Sequence, residues 1–150
     1  MAQHEHERFM RRCIELAKVA RSNNNTAVGS IIVRDNEVIG EGIEGLPTGE
    51  DITAHAETIA CREAVRTTGE KLLRGATLYT TAEPCFMCSY VIRQAEISLV
   101  VYGQPSPLVG GVTSSHPILV DAALDDWKPA PQVLDGILLD QCLTLRPGRA

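Results

Sequence analysis

The sequence predicts an α/β domain in which helices cover both faces of a mixed sheet, and three observations lead to it. An amphipathic pattern at helical spacing opens the chain, and two β-rich runs separated by a turn signal follow it. Farther on, a β-rich run, a helix-compatible run and a wholly apolar run succeed one another. That strand-helix-strand unit makes its two strands parallel through a right-handed crossover, whereas the earlier pair is an antiparallel hairpin.

Each element has its own warrant. From Glu7 to Ala20 the apolar residues Phe9, Cys13, Leu16, Ala17 and Ala20 recur every three or four positions between Arg and Glu, which predicts a helix lying on a sheet. Ala27 to Val33 and Glu37 to Ile39 are rich in β-branched residues and flank Asp35-Asn36, a tight turn. Gly42 to Asp51, with three glycines and Pro47, reads as an exposed loop. Thr53 is placed to cap a helix from Ala54 to Val65 that stops near Thr67-Thr68-Gly69. Ala76 to Thr81 reads as a strand, Cys85 to Gln94 as a helix, and Ile97 to Tyr102 as a strand buried on both faces. A long irregular segment then runs past Pro105, Pro107, Gly110 and Gly111, of the kind that forms lids and binding loops. Pro117 is placed to start a short helix through Ala123, and Pro129 and Pro131 interrupt the chain before a last β-like and helical segment, Val133 to Leu145. No repeat or linker divides the chain, so residues 1–150 are expected to form one domain.

Composition narrows the function. An apolar content of 44% with 22% charged residues suits a folded chain, and no apolar run reaches the roughly 20 residues that span a bilayer. The first seven residues, Met1 to Glu7, do not resemble a secretory signal, and the expectation is a cytoplasmic protein without a membrane partner. Five cysteines is an odd number and two form a Cys-x-x-Cys pair, which points to metal or redox chemistry rather than a disulfide framework. Cys13, Cys61 and Cys142 fall within apolar patterns and read as core residues. The net charge of −5 opposes long-range attraction of a polyanion, which favours a small substrate over nucleic acid.

Two segments carry chemistry: Thr53-Ala54-His55-Ala56-Glu57, and Glu83-Pro84-Cys85-Phe86-Met87-Cys88, each at a predicted helix start. One imidazole, His55, and two thiolates, Cys85 and Cys88, suit Zn²⁺, and three protein ligands leave a fourth tetrahedral position for water, the arrangement of a catalytic site. The positive end of a helix dipole favours thiolate at Cys85 and Cys88. Water on such a metal ionises near pH 7. Glu57, two residues after His55, is placed to relay protons without binding the metal. Phe86 could wall a ring pocket or simply pack, His116 on the late loop is a substrate-contact candidate, and Trp127 could stack on a base or be buried.

Together, in this order and about thirty residues apart, His55-x-Glu57 and Pro84-Cys85-x-x-Cys88 resemble the cytidine deaminase superfamily. The resemblance covers most of the chain and implies a three-layer α/β/α sandwich around a central mixed five-stranded sheet. The Thr-Ala-His-Ala-Glu context is most similar to the guanine deaminase, yeast-type cytosine deaminase and tRNA adenosine deaminase branch. By that similarity the Ala56 N–H and the Glu83 carbonyl would hold the substrate's edge, and a homodimer is expected. Members of the branch commonly carry an asparagine where Glu44 stands. A carboxylate only accepts, so Glu44 either selects an edge rich in N–H groups or points to solvent. The tRNA-editing relatives also have a basic segment after the fourth strand, where this chain reads Gly103-Gln104-Pro105-Ser106-Pro107-Leu108. The resulting expectation is a zinc-dependent hydrolytic deaminase of a free nucleobase or similar small aminated heterocycle, with no nucleic-acid partner. Deamination of adenosine in tRNA is the alternative, and a zinc-stabilised binding module without catalysis is the third reading.

Overall fold

A computed structural model describes residues 3–45 and 51–147. Its elements in chain order are α1 (Gln3–Ser22), β1 (Gly29–Arg34), β2 (Glu37–Ile43), α2 (Ala56–Thr68), β3 (Thr77–Ala82), α3 (Phe86–Gln94), β4 (Leu99–Gln104), a 3₁₀ turn (Ala122–Leu124), β5 (Gln132–Leu134) and α4 (Leu139–Leu145). The five strands form one sheet in the order β2-β1-β3-β4-β5. β1 is antiparallel to both β2 and β3, and β3, β4 and β5 are mutually parallel, so the sheet is mixed as the hairpin and the crossover require.

Alternation along the strands sorts the core into two layers. Ile31 and Val33 of β1, Tyr79 of β3 and Val101 of β4 pack with Phe9, Cys13 and Leu16 of α1 and with Cys142 and Leu145 of α4. Their neighbours Ile32, Leu78, Val100 and Tyr102 point the other way and pack with Ala60, Cys61 and Ala64 of α2 and Ile92 of α3. The three-layer sandwich follows. Cys13, Cys61 and Cys142 are buried in these layers, and burial pushes the Cys61 and Cys142 thiols up to about 12, far from reactive thiolate.

Several boundaries differ from the sequence reading. β2 continues through Gly42 to Ile43, where a loop is expected, because α2 lies directly upon it. A Cβ at Gly40 would collide with the Ala60 carbonyl, and one at Gly42 with the Ala56 carbonyl and the Ala60 nitrogen, so these glycines are contact surface rather than loop. Pro47 lies outside the described residues. Asp35 and Asn36 make the tight turn with φ of 52° and 66°. α2 begins two residues later than expected: its N-cap is His55, while the Thr53 amide and hydroxyl both bind the Asp51 carboxylate. Gly69 ends α2 in the left-handed conformation, its N–H donating to the Val65 carbonyl.

Pro117 starts no helix. Its segment turns irregularly, and a 3₁₀ turn comes later, capped by the Asp121 carboxylate accepting from the Ala123 N–H. The cause is Arg93 at the end of α3, which is 1% exposed and donates to the carbonyls of Ile118, Leu119, Asp121 and Lys128 and to the Asp125 carboxylate. Backbone carbonyls committed to a guanidinium are not available to a helix.

Candidate metal centre and active site

β3 runs out at Ala82, and Glu83-Pro84 carries the chain into α3, whose N-cap is Cys85. α2 starts beside it, with His55 as N-cap and Glu57 in the first turn. Both helix N-termini therefore face one point at the carboxyl end of a parallel strand, where open α/β sheets place their ligands.

His55, Cys85 and Cys88 each aim one ligand atom at that point, all within 4.8 Å of one another. The His55 Nδ1 lies 3.4 Å from the Cys85 Sγ and 3.5 Å from the Cys88 Sγ. Nitrogen and sulfur bound tetrahedrally to Zn²⁺ at their usual lengths stand about 3.6 Å apart, so the three groups already have the spacing of a zinc site. The donor set, one imidazole and two sulfurs, fits the same ion.

The electrostatics agree. The Cys88 thiol and its backbone N–H, together with the His55 ring, pull Cys85 down to about 4, and the His55 imidazole, bonded to that sulfur, rises to about 9. Cys88 shifts upward because it gives its hydrogen to Cys85 and is buried. Cys85 is thus biased toward thiolate, and a divalent ion held here would supply the charge that favours ionised Cys88.

Glu57 is 4% exposed and lines the adjoining cavity. Its Oε2 lies 3.6 Å from the Cys88 Sγ, and its Oε1 accepts from the Thr80 hydroxyl at 3.2 Å. Burial, with the Glu44 charge adding to it, pushes Glu57 up to about 7. The cavity encloses about 180 Å³, and Thr26, Val28, Glu44, His55, Cys85 and Arg146 are among its walls.

Glu44 faces this cavity rather than solvent. Its Oε1 accepts from the Ala56 N–H at 2.9 Å and its Oε2 lies 4.0 Å from the His55 Nε2. The Ala56 amide expected to hold substrate is thus occupied by a side chain of the protein. Burial raises the Glu44 carboxyl above its ordinary range. Glu83 also borders the cavity, but its carboxylate turns into the following loop, accepting from the amides of Ser106, Val112 and Thr113 and from the Thr113 hydroxyl.

The other candidates lie apart. Phe86 and His116 meet edge to face, with ring centroids 6.1 Å apart, and neither lines the cavity. Trp127 stacks on Tyr90 at 5.3 Å, on the outer side of α3. Sequence reasoning missed Thr26, Arg146, Ser30 and Thr80. Ser30 carried a weak signal, a hydroxyl just ahead of the apolar run Ile31-Ile32-Val33, whereas Thr80 is one of three threonines in β3 and does not stand out. Arg146 carried none, because it follows the last predicted element.

Residues 3–104 match the cytidine and deoxycytidylate deaminase zinc-binding region. The chain is 37% identical over 128 residues to a tRNA-specific adenosine deaminase of Aquifex aeolicus, covering 83% of this chain and 85% of that protein. It is 34% identical over 137 residues to a tRNA-specific adenosine deaminase of Streptococcus pyogenes serotype M1, covering 91% and 78%. Among solved structures, one from a study of A-to-I editing by tRNA:A34 deaminases superimposes with a TM-score of 0.84 at 30% identity, covering 92% of this chain and 98% of that one. These relatives overturn two expectations, the free nucleobase as substrate and the absence of a nucleic-acid partner. The error lay in reading a whole-chain charge of −5 as a local property, since the sum does not say where charges stand, and both Arg21 and Arg146 border a neighbouring cavity. With a zinc-ready triad at paired helix starts and a sequence match across two thirds of its length, the chain belongs to the cytidine and deoxycytidylate deaminase family of zinc-dependent, C–N-hydrolysing deaminases.

Proposed function

We propose that this protein deaminates adenosine within tRNA to inosine. The observation that carries the reading is the shape of the site. The base-sized cavity is flanked by two others that share wall residues with it. One, of about 180 Å³, shares Thr26, Glu44 and His55 with it and extends past Asp51 and Ile52. The second, of about 240 Å³, shares Thr26 and Arg146 and extends to Arg21. A free base needs only the centre, whereas a nucleotide in a strand needs room for the neighbours on either side, and two arginines beside one branch suit its phosphates. The likeness to tRNA-specific adenosine deaminases over most of both chains supports the same substrate.

When bound by His55, Cys85 and Cys88, zinc supplies the Lewis acidity that makes water a nucleophile near neutral pH. The carboxylate of Glu57 takes one proton from the attacking water and delivers it to the ring nitrogen, then moves the second proton from the newly added hydroxyl to the departing amine, so that a C–O bond replaces the C–N bond and ammonia leaves. Ala82 and Val28 give the cavity apolar walls against the base faces.

The protein carries five free thiols, which supports a reducing, cytoplasmic setting. Self-association belongs to the same reading. An apolar groove of about 570 Å³ between α2 and α3, bordered by Val65, Leu72, Tyr90 and Val91, is uncovered in the single chain, and sedimentation at micromolar concentration is expected to give twice the 16.3 kDa chain mass.

The test is incubation of the zinc-loaded protein with transcribed tRNA, free adenosine and free adenine, with inosine and hypoxanthine read by mass spectrometry. Inosine in tRNA, lost by about a hundredfold or more in Glu57→Gln with zinc retained, is the expected result. Turnover of the free compounds alone would overturn the substrate.

A further inference from the structure

On the face of the sheet that meets α2, strands β1 and β3 present Ile32 and Leu78, and both are fully buried. The next inward pair along the same face is Ser30 and Thr80, directly opposite each other in the antiparallel register and each 0% exposed. Two hydroxyls in the middle of an apolar ladder are unfavourable unless each finds a partner. Here the partners form a directed chain. The Ser30 Oγ donates to the Thr80 Oγ1 at 2.8 Å, and the Thr80 Oγ1 donates to the Glu57 Oε1 at 3.2 Å. Since the Thr80 hydroxyl has one hydrogen, the donation from Ser30 leaves that hydrogen for the carboxylate.

We propose that Thr80, oriented by Ser30, is a positioning residue that fixes the Glu57 carboxylate for its proton transfers; the functional part of this rests on the deaminase reading above. Glu57 stands in the first turn of α2 with a side chain of three torsions, and its two oxygens have different tasks. Oε1 is tied to the sheet through Thr80, and Oε2 is left at the metal triad, 3.6 Å from the Cys88 sulfur. Without the tie the carboxylate can rotate about its last torsion, and either oxygen, or neither, then meets the water. Ser30 acts one step farther away. Its loss frees the Thr80 hydroxyl to turn, so its effect is smaller and of the same kind.

The experiment uses the zinc-loaded protein in four forms, wild type, Thr80→Val, Thr80→Ser and Ser30→Ala, with two readouts. The first needs no substrate. Carbon-13 NMR of glutamate-labelled protein follows the Glu57 carboxyl carbon, assigned by its disappearance in Glu57→Gln, and the signal is expected to move in Thr80→Val, to move less in Ser30→Ala and to return in Thr80→Ser. The second is steady-state deamination of the tRNA, for which Thr80→Val should lower kcat roughly tenfold to a hundredfold, the range of one hydrogen bond to a charged group, and leave KM within about twofold. Thr80→Ser should restore most of kcat. An unmoved Glu57 signal in Thr80→Val with zinc and fold retained overturns the proposal, as does a loss confined to KM. Absence of tRNA turnover in wild type, with the carboxyl signal responding as expected, would sink the substrate assignment and leave the positioning of Glu57 standing.

Discussion

Glu83 shows how a carboxylate can be a scaffold beside an active site. It is 3% exposed and meets four donors, three of them backbone amides of the loop that follows β4. Replacing one oxygen by an NH₂ group in Glu83→Gln sets a donor against these donors, and the expected loss is about 1–3 kcal/mol by urea denaturation, with zinc content unchanged. A residue far from the site supplies a pH dependence. His6 on α1 is 6% exposed, its Nδ1 lies 2.9 Å from the Tyr79 hydroxyl, and burial holds its imidazole below the usual 6.5. Above that value both folded and unfolded chains leave it neutral. As pH falls through about 6.5 the unfolded chain takes up a proton that the folded chain refuses, so stability declines on the acid side. Between pH 7.5 and 5.5 the melting temperature should fall less in His6→Gln than in wild type; equal slopes would remove His6 from the acid response.

At the scale of elements, the site depends on how closely α2 approaches β2. Gly40 and Gly42 allow the helix backbone to touch the strand, and His55 is the residue at which that helix begins. Gly42→Ala inserts a methyl group against the Ala56 carbonyl, and the helix must lift. A loss of about 1–3 kcal/mol is expected from overpacking of this kind. The diagnostic result is a fall in zinc affinity as well, measured by competition with a chromophoric chelator, because the shift carries His55 away from Cys85 and Cys88. Lowered stability with unchanged affinity would mean that the metal triad moves with α2 as a unit. Arg93 organises the opposite side of the molecule, where five acceptors from residues 118–128 converge on one guanidinium. That convergence explains why the Pro117 helix signal failed: local propensity yielded to a contact spanning more than twenty positions in sequence, which no window of neighbouring residues contains.

Across the whole molecule, the fold was legible where a pattern repeats. The β-rich and apolar runs of β1, β3 and β4 and the helical spacing in α1 placed these four elements to within a few residues, and the two short motifs brought the three zinc ligands to a common point. What could not be read was of two kinds. Contacts between distant segments, such as Glu44 on the Ala56 amide or Ser30 on Thr80, become visible only when strands are in register. The substrate was misjudged because net charge is a sum, and a sum does not locate Arg21 and Arg146 beside one cavity. The spacing of the metal ligands has one more consequence. His55 and Cys85 are 30 residues apart, and the chain between them contains all of α2 and β3. A zinc ion gripping both ends closes a ring through the middle of the protein, so it is a removable cross-link as well as a reagent. At a hundredfold excess over its dissociation constant the ion adds about 2.7 kcal/mol, and its extraction by a chelator should lower the melting temperature by roughly 5–10 °C. The weakening should be local: under brief proteolysis of the metal-stripped protein the first cuts are expected inside the opened ring, between residues 55 and 85, with α1 still intact.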